Sequence, residues 1–334
     1  MPPGRPPRQV DIARIAGVSQ ATVSVVLGGN RAGVRMAEST RRRVLAVAED
    51  LGYVPHPVAT RLASARTNMI GLYTFRATFP TDVADSYYPI LVGVEDAAAA
   101  LGQDLVLFTG AAGQSPEAIR RVRVADGCLF FGRHVPDEPI ARLVDSGFPI
   151  VYIGRRPELG GRIPYVGADY VTASADLVTR LRGLGHRRVR YVRETDDAPS
   201  SADREQGVRR AAPDTAVTRL DGPLSVDAVR SWLADGVTAI VVEETDTGVA
   251  YTAVRAALSA ARLSTPEDVS LAVLGRPPGV APDVTGFEVP YREMGGAAVR
   301  LLVDLITEQP TTSQRLLHCP PVPGGSVGPA AGVR

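Results

Sequence analysis

Lysine is missing from this 334-residue chain altogether, and all 37 of its basic side chains are arginine. Arginine is thus the cation for every purpose, so its presence at one position carries no message of phosphate recognition. Cysteine is almost absent too. Cys128 and Cys319 stand far apart without metal-type spacing and read as reduced, packed thiols. No apolar run approaches the roughly 18 residues that span a bilayer. The opening Met1-Pro-Pro-Gly-Arg-Pro-Pro-Arg8 has no apolar stretch behind its charges to act as a secretory signal. A cytoplasmic protein without membrane contact is expected. G-x-G-x-x-G, Walker, G-x-S-x-G and H-E-x-x-H motifs are all missing, and His56, His134, His186 and His318 are scattered. These absences argue against catalysis and against a resident cofactor or metal.

What is present is a charge asymmetry hidden by a net charge of +1. Residues 1–66 hold ten arginines against four acids, which leaves 27 arginines against 32 acids for the rest. A basic head on an acidic body is the electrostatic footprint of a nucleic-acid binder. The length allows two or three domains, and 45% hydrophobic residues suffice for packed cores.

The head carries its own signal. Ile12, Ala13, Ile15 and Ala16 recur at helical spacing, and Gly17 ends that helix. Val18 plugs the turn, and Ser19 is a suitable N-cap for a second helix reaching about Leu27. Two short helices joined by such a turn make a helix-turn-helix, whose second helix enters the major groove N-terminus first. Val23, Val26 and Leu27 then face inward. Gln20, Ala21, Thr22 and Ser24 face outward, and Ser19 and Val25 flank them as further DNA-contact candidates. A third helix from about Glu38 to Leu51 covers the pair with Val44, Leu45, Val47, Ala48 and Leu51.

The run Asp11-Ile-Ala-Arg-Ile-Ala-Gly-Val-Ser-Gln-Ala-Thr-Val-Ser24 resembles the head signature of the LacI/GalR family nearly residue for residue. Thr40-Arg-Arg-Arg-Val-Leu-Ala-Val-Ala-Glu-Asp-Leu-Gly-Tyr-Val-Pro55 matches its third helix and exit. The resemblance implies a transcriptional regulator, most simply a repressor, bound as a homodimer to a pseudopalindromic double-stranded DNA operator and controlled by a small-molecule effector. Three departures stand out. Val25 occupies the place where many members have Arg, which replaces a bidentate guanine contact by apolar contact to a thymine methyl. The loop 28–37 is about three residues longer than usual, and Arg8 or Gln9 replaces a capping Thr, so the first helix is expected to start less sharply.

Residues 55–66 form a linker in which Val58 to Ala65 has room for about two helical turns, marginal in isolation. The resemblance implies a hinge helix that folds on operator DNA and wedges Leu62 into the minor groove, with Val58 and Ala59 as apolar neighbours. A plain flexible linker is the alternative, and His56 stands where the family has Asn.

From Met69 the chain alternates strands and helices, which predicts parallel sheets built from βαβ units. Domain bounds of 1–54 for the head, 55–68 for the linker and 69–334 for the body follow. The whole is an all-α helix-turn-helix head plus an α/β body, and the resemblance implies a two-lobed body like that of periplasmic binding proteins. Helices Glu293–Thr307 and Pro89–Leu101 are candidate subunit-interface elements.

Ligands of open α/β sheets sit outside the carboxyl ends of strands. The resemblance puts Arg204 (in Ser201-Ala-Asp-Arg204), Asp169, Tyr87 and Tyr88 at the effector site, with Asp246, in the run Glu243-Glu-Thr-Asp-Thr247, as the nearest candidate for the Asn-Asp that the family carries after strand 239–242. Arg155 and Arg276 stand where many members carry carboxylates. That exchange removes acceptors and adds positive charge, which points to an anionic effector such as a phosphorylated sugar. A cleft that has lost ligand binding is the rival reading. A free-standing binding protein is the rival for the whole chain, but it would have no use for residues 1–66.

Overall fold

The computed structural model of the chain describes residues 7–27, 36–53, 66–74, 87–108, 119–133, 137–243, 245, 248–275 and 283–330. The chain forms two compact units, Met1–Thr67 and Asn68–Arg334. The linker candidates Val58, Ala59 and Leu62 lie outside the described residues.

In the first unit, helices α1 (Gln9–Ala16), α2 (Gln20–Leu27) and α3 (Glu38–Asp50) enclose a small core of Ile12, Ala13, Ala16, Val23, Val26, Val44 and Ala48. Two residues expected inside are outside: Ile15 is 52% exposed and Leu45 42%. The buried stripes are 12-13-16 and 44-48, and a side chain three residues from 12, or one from 44, is swung off a face this narrow. The first helix begins more firmly than its sequence suggests, because the Asp11 carboxylate accepts the Arg8 backbone N–H at 2.9 Å.

The second unit holds two parallel sheets. One has six strands in the order β11-β5-β4-β3-β1-β2, namely Gln314–Leu317, Tyr165–Ala168, Ile150–Ile153, Gly127–Phe131, Met69–Thr74 and Asp104–Phe108. The other has four in the order β7-β6-β8-β9, namely Ala216–Leu220, Val189–Glu194, Ala239–Glu243 and Ser270–Leu274. All neighbours in both sheets run parallel.

Both sheets are covered on their two faces, and the strands show it by alternation. Leu129, Val151, Tyr191, Val241 and Ala272 point into one core shared by the two lobes. Cys128, Phe130, Ile150 and Tyr152 point into a second core on the far face of the six-stranded sheet. Val192, Ile240, Val242 and Val273 do the same for the four-stranded sheet. The strand order reverses beside β1 and β3 in one sheet and beside β6 and β8 in the other. Those reversals leave a crevice at the carboxyl ends of these strands. The chain passes between lobes after β5, again before helix Tyr291–Ile306, and finally between β11 and the short strand β12 (Pro321–Val322), which pairs with β10 (Gly286–Phe287).

Helix Tyr291–Ile306 packs along helix Tyr87–Ala100 within one body. Met294, Ala297, Ala298, Val299, Leu301 and Leu302 are buried in the core of the body, while Arg292, Glu293 and Arg300 of the same helix are exposed. The crossing is close. A Cβ on Gly93 would lie 2.0 Å from the Arg292 carbonyl oxygen, and one on Gly295 2.4 Å from that of Ile90. Both obstacles are backbone and cannot rotate away. Gly93→Ala gains about 1 kcal/mol of helix propensity but forces the helices apart, at a cost of about 3 kcal/mol or more. A net loss of about 2 kcal/mol in the denaturant-unfolding free energy of the body is expected; an unchanged or raised value would contradict the crossing.

Candidate functional site

The head presents one polar helix end. Ser19 Oγ accepts the Thr22 backbone N–H at 3.1 Å and lies 2.8 Å from Thr22 Oγ1, so the N-cap expected from sequence is formed. The helices α1 and α2 turn through 109° across the Gly17 corner, whose φ is 64°. With Val23 and Val26 buried, Ser19, Gln20, Ala21 and Ser24 are exposed, while Thr22 and Val25 are half-buried at the edge. The bare N–H groups of the first turn and these short polar side chains make a surface that fits a groove of base edges and phosphates. Among the described residues no single helix is long and apolar enough to cross a membrane.

In the body a cavity of about 100 Å³ lies at the carboxyl ends of strands from both sheets. Phe131 to Arg133 follow β3, Ile153 to Arg156 follow β4, Ala198 to Ser200 lie beyond β6, and Thr245 follows β8. Tyr170, Tyr291 and Met294 supply apolar wall.

The helix Pro199–Ala211 carries the two most informative side chains, Asp203 and Arg204. Arg204 is buried. Its Nε donates to the Leu274 carbonyl at 2.8 Å, its Nη1 to the Ser200 carbonyl at 3.3 Å, and its guanidinium lies 3.9 Å from the Tyr170 ring centre. Burial works against its charge, but the Tyr170 and Glu243 side chains outweigh that and hold its pKa above the ordinary arginine value. Nη2 makes no hydrogen bond among the described residues and remains a donor at the cavity wall.

Each described arginine around the cavity has an acid. Arg133 Nη2 is 2.9 Å from Asp196 Oδ2. Arg155 Nε donates to Asp203 Oδ2 at 2.6 Å and its Nη2 to Asp203 Oδ1, a fork that raises the pKa of Arg155. Arg156 lies 3.6 Å from Glu158, 4.0 Å from the Tyr152 ring centre, and donates to the Gly132 and Arg133 carbonyls. Arg204 Nη1 is 3.8 Å from Glu243, which also faces Arg193 at 3.6 Å. Both Glu243 oxygens are fully buried and accept no hydrogen bond among the described residues, so these two guanidinium groups are what offsets their charge. The nearby Tyr191 hydroxyl is buried without a partner, and burial followed by the Glu243 charge pushes its pKa well up.

This geometry can be set beside known proteins. Residues 10–56 match the model of bacterial regulatory proteins of the LacI family, and 178–327 match a periplasmic binding protein-like domain. The transcriptional regulator CelR of Thermobifida fusca is 31% identical over 329 residues, covering 92% of this chain and 94% of that protein. The chain belongs to the LacI family. Catabolite control protein A of Priestia megaterium is 29% identical over 325 residues, with 91% and 93% covered. Among solved structures, a CelR–cellobiose complex has a TM-score of 0.63 at 28% identity, covering 96% and 99% of the two chains. A lac repressor dimer bound to operator and an anti-inducer has a TM-score of 0.72 at 20% identity, with 97% and 100% covered, and shows the shared fold. This LacI-family chain is therefore a DNA-binding transcriptional regulator with a helix-turn-helix head and an effector-type body; its relatives are regulators, not enzymes.

Of the effector candidates read from sequence, Arg204 and Arg155 line the cavity. Asp169 instead caps helix Tyr170–Gly183, its carboxylate accepting the Thr172 N–H at 3.0 Å. Tyr88 is 47% exposed and not among the lining residues. The Tyr87 side chain, Asp246 and Arg276 lie outside the described residues. Three acids that do not directly follow β4 or β9 face the cavity arginines: Asp203 from the helix, Asp196 from the loop before it, and Glu243 from the end of β8. Sequence reasoning passed over all three, although Asp203 sits inside the quoted Ser201–Arg204 run and Glu243 is the lone charge closing an apolar strand.

Cys128 and Cys319 are both buried, and burial pushes the Cys319 thiol up to about 11, which keeps it protonated and inert at neutral pH. Arg204→Met removes one of two cations beside a buried carboxylate. A loss of about 3 kcal/mol in body stability is expected, partly recovered by adding Glu243→Leu. Calorimetric melting checks this, and an undisturbed single variant would show that Glu243 does not depend on Arg204.

Proposed function

We propose that the chain is a repressor that binds a pseudopalindromic operator as a homodimer and releases or tightens its grip when a neutral, polyhydroxylated small molecule occupies the cleft between its two sheets. The observation that carries this reading is the cavity wall. It combines matched charges, three aromatic rings (Phe131, Tyr170, Tyr291) and a few convergent polar groups. Apolar ring faces suit the C–H faces of a saccharide. Arg204 Nη2 supplies a donor, Asp203 an acceptor, and the Thr245 hydroxyl lies at the same wall. A relative matched over 96% of this chain, CelR, has been solved with cellobiose. One head reads only a half-site, so a two-fold dimer on a two-fold operator follows from geometry. The side chains assigned to base edges are Gln20, Ala21, Thr22, Ser24 and Val25, with Ser19 holding the helix start, and the work is cytoplasmic.

An anionic ligand is the second reading, and Arg155 favours it, since a carboxylate or phosphate can replace the Asp203 fork. A thermal-shift series of neutral oligosaccharides, sugar phosphates and sugar acids separates the two. Stabilisation by neutral sugars, lost in Arg204→Met, is the expected result; response to anions alone would overturn neutral recognition, and no response at all would overturn an effector site. At the head, Gln20→Ala is expected to weaken binding to a selected operator roughly 10- to 100-fold while leaving non-specific binding unchanged. An equal loss on both DNAs in a fluorescence-anisotropy titration would count against base reading by Gln20.

A further inference from the structure

Two of the charge pairs at the cleft join the lobes to each other. Arg133 and Arg155 stand just after β3 and β4 of the six-stranded sheet, whereas Asp196 and Asp203 stand after β6 and on the helix that follows, in the other lobe. The Arg155–Asp203 contact is a two-point fork, and the Asp203 side chain is 3% exposed. A fork has directional preference, so it favours one relative orientation of the lobes over its neighbours. Arg133, Arg155 and Asp203 all line the cavity, and Asp203 is the one carboxylate among the described lining residues. The space of about 100 Å³, open to solvent on one side, is smaller than the roughly 300 Å³ at the lower end of small-molecule sites, so parting of the lobes would give a ligand the room it lacks.

We propose that Arg155–Asp203, assisted by Arg133–Asp196, is a latch by which this chain closes its own effector cleft. The proposal rests on the cleft being the effector site, and adds how entry to it is regulated. The lobes come together through the chain's own charges, and the latch must open before Asp203 can turn to a ligand. A ligand therefore acts on a population already biased toward closure, and its apparent affinity is lowered by the fraction of molecules held shut. Screening is a built-in consequence. Arg133, Arg155 and Asp196 are partly exposed, so added salt weakens the latch as the Debye length falls from about 10 Å to about 3 Å between about 0.1 M and 1 M.

The test measures the distance between the lobes in the full-length protein with neither ligand nor DNA, so it stays readable whether or not the thermal-shift series finds a ligand. Nitroxide labels at Glu138→Cys and Ser231→Cys, both exposed and on helices of opposite lobes, report the separation by pulsed electron resonance. The buried Cys128 and Cys319 leave the labelling selective. In the Asp196→Asn/Asp203→Asn variant the long-distance population is expected to rise roughly fivefold or more. The reciprocal exchange Arg155→Asp/Asp203→Arg is expected to return it toward the parent. A distance distribution in the folded double variant that superimposes on the parent would overturn the latch. Should that variant fail to fold, the parent at about 1 M salt decides: a grown long-distance population supports the latch, and an unchanged one overturns it.

Discussion

A guanidinium taken out of water between two sheets keeps its charge, because its proton affinity is too high for neutralisation to be a way out. It must be met by an acceptor from the chain itself. In this protein that constraint falls on the arginines at the carboxyl ends of the strands, since no lysine shares the task. Arg133, Arg155, Arg156 and Arg204 each face a carboxylate, and three of the four acids come from the lobe that contains β6 to β9. The strand ends, the helix bearing Asp203 and Arg204, and the closing of the cleft are thus bound into one arrangement. Moving any one of them leaves a charge without its partner.

The same arrangement explains why a site rich in arginine need not seek an anion. Each arginine of the cavity wall has a carboxylate beside it, and what distinguishes the wall is aromatic surface with isolated donors and acceptors. Arg204 illustrates the dual use. Three of its neighbours (the Leu274 carbonyl, the Tyr170 ring and Glu243) fix its position, and that fixation is what presents its remaining nitrogen in a defined direction. A floppy arginine would lose more rotamer freedom on binding and discriminate less.

Local signals in the sequence were read well, and non-local ones were not. The Gly17–Ser19 corner, the Ser19 cap and the apolar strands β1 to β4, β6, β8 and β9 follow from residues close in sequence, because capping and period-two burial are local physics. Strands β7 and β11 carry no comparable apolar run. Each is a short edge strand with polar residues, and β11 joins β5 from about 150 residues downstream. Ile15 and Leu45 were misplaced because a three-helix head buries a narrower stripe than composition suggests. The acids that answer the cleft arginines lie 48 residues away for Arg155 and 63 for Arg133, and nothing in a single sequence marks such pairs.

The central claim is that occupation of the cleft and occupation of the operator are states of one equilibrium. Linkage makes that claim reciprocal: if ligand changes operator affinity by some factor, operator changes ligand affinity by the same factor. Calorimetric titration of the full-length protein with its stabilising saccharide, in the absence and presence of a saturating operator duplex selected from a random library, measures this directly. The account predicts ligand dissociation constants that differ by roughly 5- to 150-fold between the two titrations. Equal constants would show that the cleft and the head are not coupled, and would contradict it.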